Sequence, residues 1–251
     1  MAKTLPQAPS GAVRLNAPRL NAEERRRRIV AAALPLFARQ GFAGTTTKEI
    51  AAVADVSEAL LFKHFPTKAA LYGEILDAAC RIKDATLERL NHLEPSTLTL
   101  VRMTYAMVHF IVVGDESEAL DADTRHRLML NSLLDDGEYA RLVFETVFAQ
   151  VYPKFRDSLA AAEAAGDLAS ARVAPENRFW FAQHVAAMIA YLRLAGRAAA
   201  PYRGTREELV REAAWFVLRG CGLRNKAIKR DFDAAALAAF AHSLAGGKSA
   251  S

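Results

Sequence analysis

With 251 residues, 52% of them hydrophobic and 24% charged, the chain can bury a sizeable core as one large domain or as a small domain joined to a larger one. Its net charge of +5 is unevenly spread: residues 1–68 hold eleven Lys and Arg against five acids, and the remainder 22 against 23. No stretch has the form of a secretory leader, because the first apolar run after a basic stretch, 29–37, is interrupted by Pro35. Leu93 to Gly114 carries Glu94, Arg102 and His109, too polar for the roughly 20-residue span of a membrane helix. A cytoplasmic protein with no membrane partner is expected.

The elements read as helix throughout. Residues 1–22, with Pro6, Pro9, Gly11 and Pro18, are expected to form a flexible arm. Ile29, Ala32, Ala33, Leu36 and Phe37 recur at helical spacing over 23–40, with Gly41 at the C′ position. Pro35 inside this helix removes one backbone hydrogen bond and is expected to kink it. Thr46 with Glu49 three residues on has the form of a capping box, starting a helix over 47–54. After a turn at Asp55-Val56, Ser57 can cap a second short helix, 58–64, and Thr67 a long one, 68–90. Further helices are expected over 96–113, 121–134, 137–165, 175–199, 205–222 and 231–244, and 246–251 as a disordered tail. No strand-type alternation appears. The expected fold is all-α, with a domain at 23–70 and a larger one at 71–245.

Two short helices joined by a tight turn form a helix-turn-helix, whose second helix fits the DNA major groove. Ile50, Ala51, Ala54, Val56 and Leu61 would pack inward, and Lys48, Glu58, Ala59 and Lys63 would face out. Thr46 and Thr47 sit at a helix N-terminus, where N–H groups and hydroxyls can hold a phosphate. Lys63 and His64 end the reading helix, and Lys68 opens the next, where a cation and free N–H groups coincide. The Arg25–Arg28 cluster cannot all face one way on a helix, and Arg14 and Arg19 could serve a minor-groove arm or a loose basic tail.

The run Arg27 through Leu76, with ALPLFARQGF (33–42), TTTKEIA (45–51), VSEALLFKHF (56–65) and PTKAAL (66–71), resembles the DNA-binding domain of TetR-family repressors. The resemblance covers about 50 residues without gaps. It implies phosphate contacts at Thr46, Phe62, His64 and Lys68, and base-reading positions at Lys48, Glu58, Ala59 and Lys63. Two positions depart from the pattern. Phe62 stands where the family usually has tyrosine, which removes a phenol hydrogen bond worth about 1 kcal/mol. Asp55 stands at the usual turn glycine, and aspartate tolerates the left-handed conformation better than most residues. The resemblance also implies a double-stranded operator of palindromic form, a homodimer and release by a small molecule.

In the larger part, Met103, Met107 and Phe110 share one helix face, Phe144 and Phe148 pair on another, and Trp180, His184, Met188 and Tyr191 make a stripe on a third. Such stripes are plain core or the wall of a largely apolar effector cavity. Arg102, His109 and His184 are its candidate polar groups. An Arg125–His126–Arg127 cluster is an anion site or a solvated face. The two helices at 175–199 and 205–222 correspond in order to the family's dimerisation helices, with Leu192, Leu194, Trp215, Phe216 and Leu218 as candidate interface residues.

No cofactor is expected. The six histidines (64, 92, 109, 126, 184, 242) show no metal spacing. Gly220-Cys221-Gly222 lacks a third glycine, and Gly247-Lys248-Ser249 has His242 where a phosphate loop needs glycine. An enzyme using the helical cavity is thus the lesser alternative, as is a redox sensor built on Cys80 or Cys221 rather than two buried reduced thiols.

Overall fold

A computed structural model describes residues 21–80, 84–114, 121–169, 172–195 and 198–245, with the side chains of 78–80 and 84–85 left out. The expected arm up to residue 20, the tail at 246–251, and the Cys80 side chain lie outside the described residues. Every regular element among the described residues is a helix, and one isolated antiparallel bridge joins Leu168 to Leu223.

The first helix, α1 (Ala22–Gly44), begins inside the expected arm. Asn21 explains this: its side chain accepts from the Glu24 N–H at 2.8 Å, and the Glu24 carboxylate accepts from the Asn21 N–H at 2.9 Å, which satisfies two otherwise orphaned donors. The backbone stays helical through Pro35 and departs at Gly41, with φ 71° and ψ 178°. The break therefore falls at the glycine, which reaches positive φ without a Cβ clash, and not at the proline. Three short or medium helices follow: α2 (Thr47–Ala54), α3 (Glu58–His64) and α4 (Lys68–Cys80). The stretch expected as one helix from 68 to 90 is seen as α4 and α5 (Asp84–Asn91), on either side of residues not described.

The body comprises α6 (Thr97–Val112), α7 (Ala122–Leu134), α8 (Glu138–Ala164), α9 (Pro175–Tyr191), α10 (Arg206–Gly220), α11 (Asn225–Asp231) and α12 (Ala234–Ala245). Helix α6 is its axis. It buries residues on every face, from Thr97 to Val112, and packs against α8, α9, α10, α11 and α12. Such a helix, apolar all round, must be enclosed. Asp167 knots the base of this body. Buried just past α8, its carboxylate accepts from Thr97 Oγ1 at 2.8 Å and from Arg230 Nη2 at 2.8 Å. The Arg230 hydrogen bond, then that from Thr97, holds its carboxyl below the usual carboxylate range.

Two helix expectations are corrected. Helix α9 ends at Tyr191, not 199. Arg193 and Leu194 donate backbone bonds three residues back, at 3.0 and 3.1 Å, and the Ala199 N–H returns to the Leu192 carbonyl at 2.8 Å, so Leu192 and Leu194 lie in a turn. The seven-residue α11, missed in the sequence, has only Ala227 and Ile228 to bury, too few apolar positions to show a helical period.

Two cores result. Ile29, Phe37, Ile50, Leu61, Leu71 and Ile75 anchor the first, and Leu128, Met129, Tyr139 and Ala140 from α7 and α8 join it. The second lies around α6. Helix α7 touches α1, α8 and α9, and Asn131 Nδ2 donates to the Ala38 carbonyl at 2.8 Å. It is the brace between the N-terminal helices and the body.

That brace carries a pH dependence. His126 on α7 lies beside the Tyr191 ring at 5.4 Å. Burial, then the Arg125 guanidinium, pushes its imidazole down to about 4, against the opposing pull of Asp123 and Asp121. The unfolded imidazole, near 6.5, takes up a proton that the folded one refuses, so stability falls as pH drops from about 6.5 toward about 4. Urea unfolding is expected to show a loss of about 1–2 kcal/mol between about pH 7.5 and about pH 5 from this group, discounted for partial solvent access. His126→Gln should remove that share, and an identical slope in both proteins would rule His126 out as its source.

Candidate nucleic-acid interface

The helix-turn-helix is set by local chemistry. Thr46 accepts from the Glu49 N–H at 3.2 Å while the Glu49 carboxylate takes bonds from the Thr46 N–H at 3.0 Å and its hydroxyl at 2.8 Å. These bonds hold the exposed Glu49 carboxyl below its usual range. Helix α2 stops at Asp55, which is left-handed at φ 56°, ψ 49°, with its N–H 3.3 Å from the Ala52 carbonyl. Ser57 caps α3 by accepting from the Leu60 N–H at 3.2 Å, and Phe65, buried, ends it.

Ile50, Ala51, Ala54 and Leu61 are buried in the first core, with Val56 partly so. Lys48, Glu58, Ala59, Phe62 and Lys63 are exposed, and Thr47 and His64 half-buried. The outward residues of α3 thus form one row that no other element covers among the described residues. Thr47 Oγ1 donates to Glu58 Oε2 at 3.2 Å, tying the start of α2 to the start of α3 and engaging part of the Glu58 carboxylate.

Two cations near this row brace the head. The Lys68 ammonium donates to the Phe42 and Thr45 carbonyls at 2.8 and 3.0 Å and sits over the Phe42 ring at 4.3 Å. Two of its three donors therefore hold the α1–α2 connection. Arg26, which the sequence left in a cluster of four arginines with no direction assigned, binds both Glu74 carboxylate oxygens, donates to the His64 carbonyl at 2.8 Å and lies 4.3 Å over the Phe65 ring. It locks α1, the end of α3 and α4 together. The available signal was its place three residues before buried Ile29, at the edge of the buried stripe, where an arginine stem can pack and its head reach across. Arg28 pairs with Asp55 at 3.4 Å on the exposed side.

The expected effector residues separate into two groups. On α6, Met103 and His109 are buried and Arg102, Met107 and Phe110 half-buried. His109 meets Phe110 at 5.8 Å and His242 of α12 at 5.2 Å, and Arg102 lies 5.5 Å over Phe240. On α8 and α9, Phe144 and Phe148 each lie 5.4 Å from Trp180. No ring contact among the described residues joins the two groups. His184 and Met188, expected inside, are exposed on α9, Met188 at 53%, because the buried stripe of α9 runs along Phe179, Ala182, Ala186 and Ala190. Of the expected interface residues, Phe216 is 67% exposed and Trp215 half-buried. Leu218 is wholly buried in the chain's own core, since it falls on the face of α10 that carries Ala214 and Val217, and it cannot meet a second chain. A groove of about 590 Å³ along α10 is lined by Arg211, Glu212, Trp215, Phe216, Arg219 and Phe232.

Burial pushes the Cys221 thiol up to about 11, and the residue is 2% exposed. A thiol so protonated and enclosed is a packing group and a poor nucleophile. No group of three or more His, Cys, Asp or Glu that could hold a metal occurs among the described residues, and no described helix is long and apolar enough to cross a membrane.

Residues 29–75 match the family model of bacterial regulatory proteins of the tetR family, the stretch that contains the row just described. The nucleoid occlusion factor SlmA of Shewanella frigidimarina is 32% identical over 114 residues, 42% of this chain and 51% of that protein. An uncharacterized HTH-type transcriptional regulator of Bacillus subtilis, YvkB, is 40% identical over 63 residues, 25% of this chain and 33% of that one. The chain spans a third to about half the length of these two relatives. In fold, a crystal structure of a bacterial regulatory protein in the tetR family from Rhodococcus RHA1 agrees with a TM-score of 0.58 at 19% identity, over 80% of this chain and 99% of that one. With its capped α2, left-handed Asp55 turn and exposed α3 row, the segment 29–75 matches the DNA-binding unit of the tetR family of bacterial regulatory proteins, and the chain as a whole shares the fold of a tetR-family regulatory protein.

Proposed function

We propose that this protein is a cytoplasmic, homodimeric transcriptional repressor that grips a palindromic DNA operator through α3 and leaves it when a small molecule enters the body. The observation that carries the reading is the uncovered row Lys48, Glu58, Ala59, Phe62 and Lys63 on a head stiffened by Arg26 and Lys68. Thr46, Thr47, His64 and the start of α4 at Lys68 flank that row as phosphate contacts, and residues 23–70 act as the reading domain and 71–245 as the sensing and pairing domain. Apolar exposure on two neighbouring helices supports a dimer. Phe181 and Met188 of α9 and Phe216 of α10 are each more than half exposed, and α9 packs on α10. A two-fold pair would cover them and present two reading helices to successive major grooves.

An effector inside the body is supported by two hydroxyls. Thr104 Oγ1 of α6 and Ser158 Oγ of α8 are buried without a hydrogen-bond partner, an arrangement a bound polar group would relieve. A shift of α8 would pass to α4 and α7, both packed on it, and so to α1. Its effect on the heads is limited by the ligand's differential affinity for the two states.

The test is fluorescence anisotropy with duplex DNA from beside the protein's own coding region, at two salt concentrations. Binding is expected to exceed that of a scrambled duplex, to weaken with salt, and to drop at least tenfold in a Lys63→Ala/His64→Ala variant, on the order of two lost phosphate contacts. Equal affinity for native and scrambled duplexes and for the variant would refute the assignment of α3.

A further inference from the structure

Helix α3 offers DNA an apolar surface as well as charged ones. Its exposed residues are Glu58, Ala59, Phe62 and Lys63. Ala59 and Phe62 are three apart and so lie side by side on one helix face, opposite Leu61, which is buried. Phe62 is 43% exposed and belongs to neither core. No other aromatic ring lies against it among the described residues. It has no donor or acceptor, so it cannot bond a phosphate oxygen. A phenyl ring and a methyl on a reading helix match one feature of the major groove: the 5-methyl of thymine, the only apolar group that a base pair presents there. One charged neighbour is partly committed elsewhere, since Glu58 accepts from Thr47 at 3.2 Å, and the Ala59–Phe62 pair lies between Glu58 and Lys63 in the row.

We propose that Phe62 and Ala59 form a thymine-methyl reader, so that part of this protein's operator specificity comes from apolar contact with a 5-methyl group in each half-site. The proposal rests on the operator-binding reading above. Phe62 is in this respect a specificity residue and not a phosphate contact.

The test starts by selecting a bound sequence from a random duplex pool with the full chain. Each thymine of the selected duplex is then replaced in turn by uracil, which removes the 5-methyl and keeps the base-pairing and groove hydrogen-bonding pattern. Affinity is read by anisotropy at one salt concentration. At one or two thymines per half-site, uracil is expected to weaken binding about fourfold, on the order of one buried methyl group. In Phe62→Ala, overall affinity falls and the thymine-to-uracil ratio at those positions approaches one. Circular dichroism checks that the variant is folded, which its exposed position favours. If uracil is neutral at every position, or if the ratio survives in Phe62→Ala, the methyl reader is overturned while operator binding stands. A pool that enriches no sequence overturns operator binding, and the methyl reader with it.

Discussion

Phe37→Ala is expected to abolish operator binding while the body around α6 stays folded. Phe37 is fully buried, with its ring 4.9 Å from Tyr72 and 6.1 Å from Phe42. Phe42 in turn lies 5.0 Å from Tyr72 and under the Lys68 ammonium. Truncating the central ring should cost about 3–5 kcal/mol, a large share of what a core of short helices can supply. Helices α2 and α3 have seven or eight residues each, too short to persist without tertiary support, so the reading row loses its frame. Chemical unfolding followed by circular dichroism should show an early, small loss of helix ahead of a main transition near that of the parent. Anisotropy should show specific binding lost at temperatures where the main transition has not begun. Parent-like binding in a variant that unfolds in one step would mean that the head draws its stability from α7 and α8 instead.

Phe179→Ala should do the reverse. Phe179 is 1% exposed and meets four rings: Trp180 at 5.2 Å, Phe155 at 5.3 Å, Tyr152 at 5.6 Å and Phe148 at 6.2 Å. Its loss is expected to cost about 3–5 kcal/mol, with edge-to-face ring contacts adding to the loss of burial. The Tyr152 hydroxyl donates to Glu176 at 2.7 Å, and burial, then that bond, pushes the phenol up to about 12. Loosening this cluster should therefore free the start of α9 as well. The main unfolding midpoint should fall sharply, Trp180 emission should shift to the red, and, on the proposed pairing through α9 and α10, sedimentation should show monomers where the parent sediments as a dimer. The head should still bind DNA, weakly, as a single half-site reader. A variant with an unchanged midpoint would show that α8 and α9 are held by other contacts.

Much of the head was legible in the residues. Capping needs only side chains three positions apart, so Thr46 with Glu49 and Ser57 marked both helix starts correctly. The inward and outward residues of α2 and α3 follow from helical spacing alone, and Asp55 adopts the left-handed turn that its tolerance for positive φ allows. The outcome differed where a residue's role depends on distant partners. Arg26 finds Glu74, 48 positions on, and nothing within a helical turn of either announces the pair. Lys68 turns back to the Phe42 and Thr45 carbonyls for the same reason.

The all-helical class, the positions of α2 and α3, the residues they bury and the family they resemble were legible in the residues alone, because hydrogen bonds within a turn and apolar periodicity act over at most a few residues. Long-range packing is what makes α7 and the start of α8 share the head's core, splits the stripe holding Trp180, His184 and Met188 between an aromatic cluster and an open surface, and puts Leu218 in the interior. Those outcomes depend on which helix faces meet. Periodicity says that a helix has an apolar face, but the partner of that face is chosen by packing between elements far apart in the chain, and residues on its margin become core, cavity or surface accordingly.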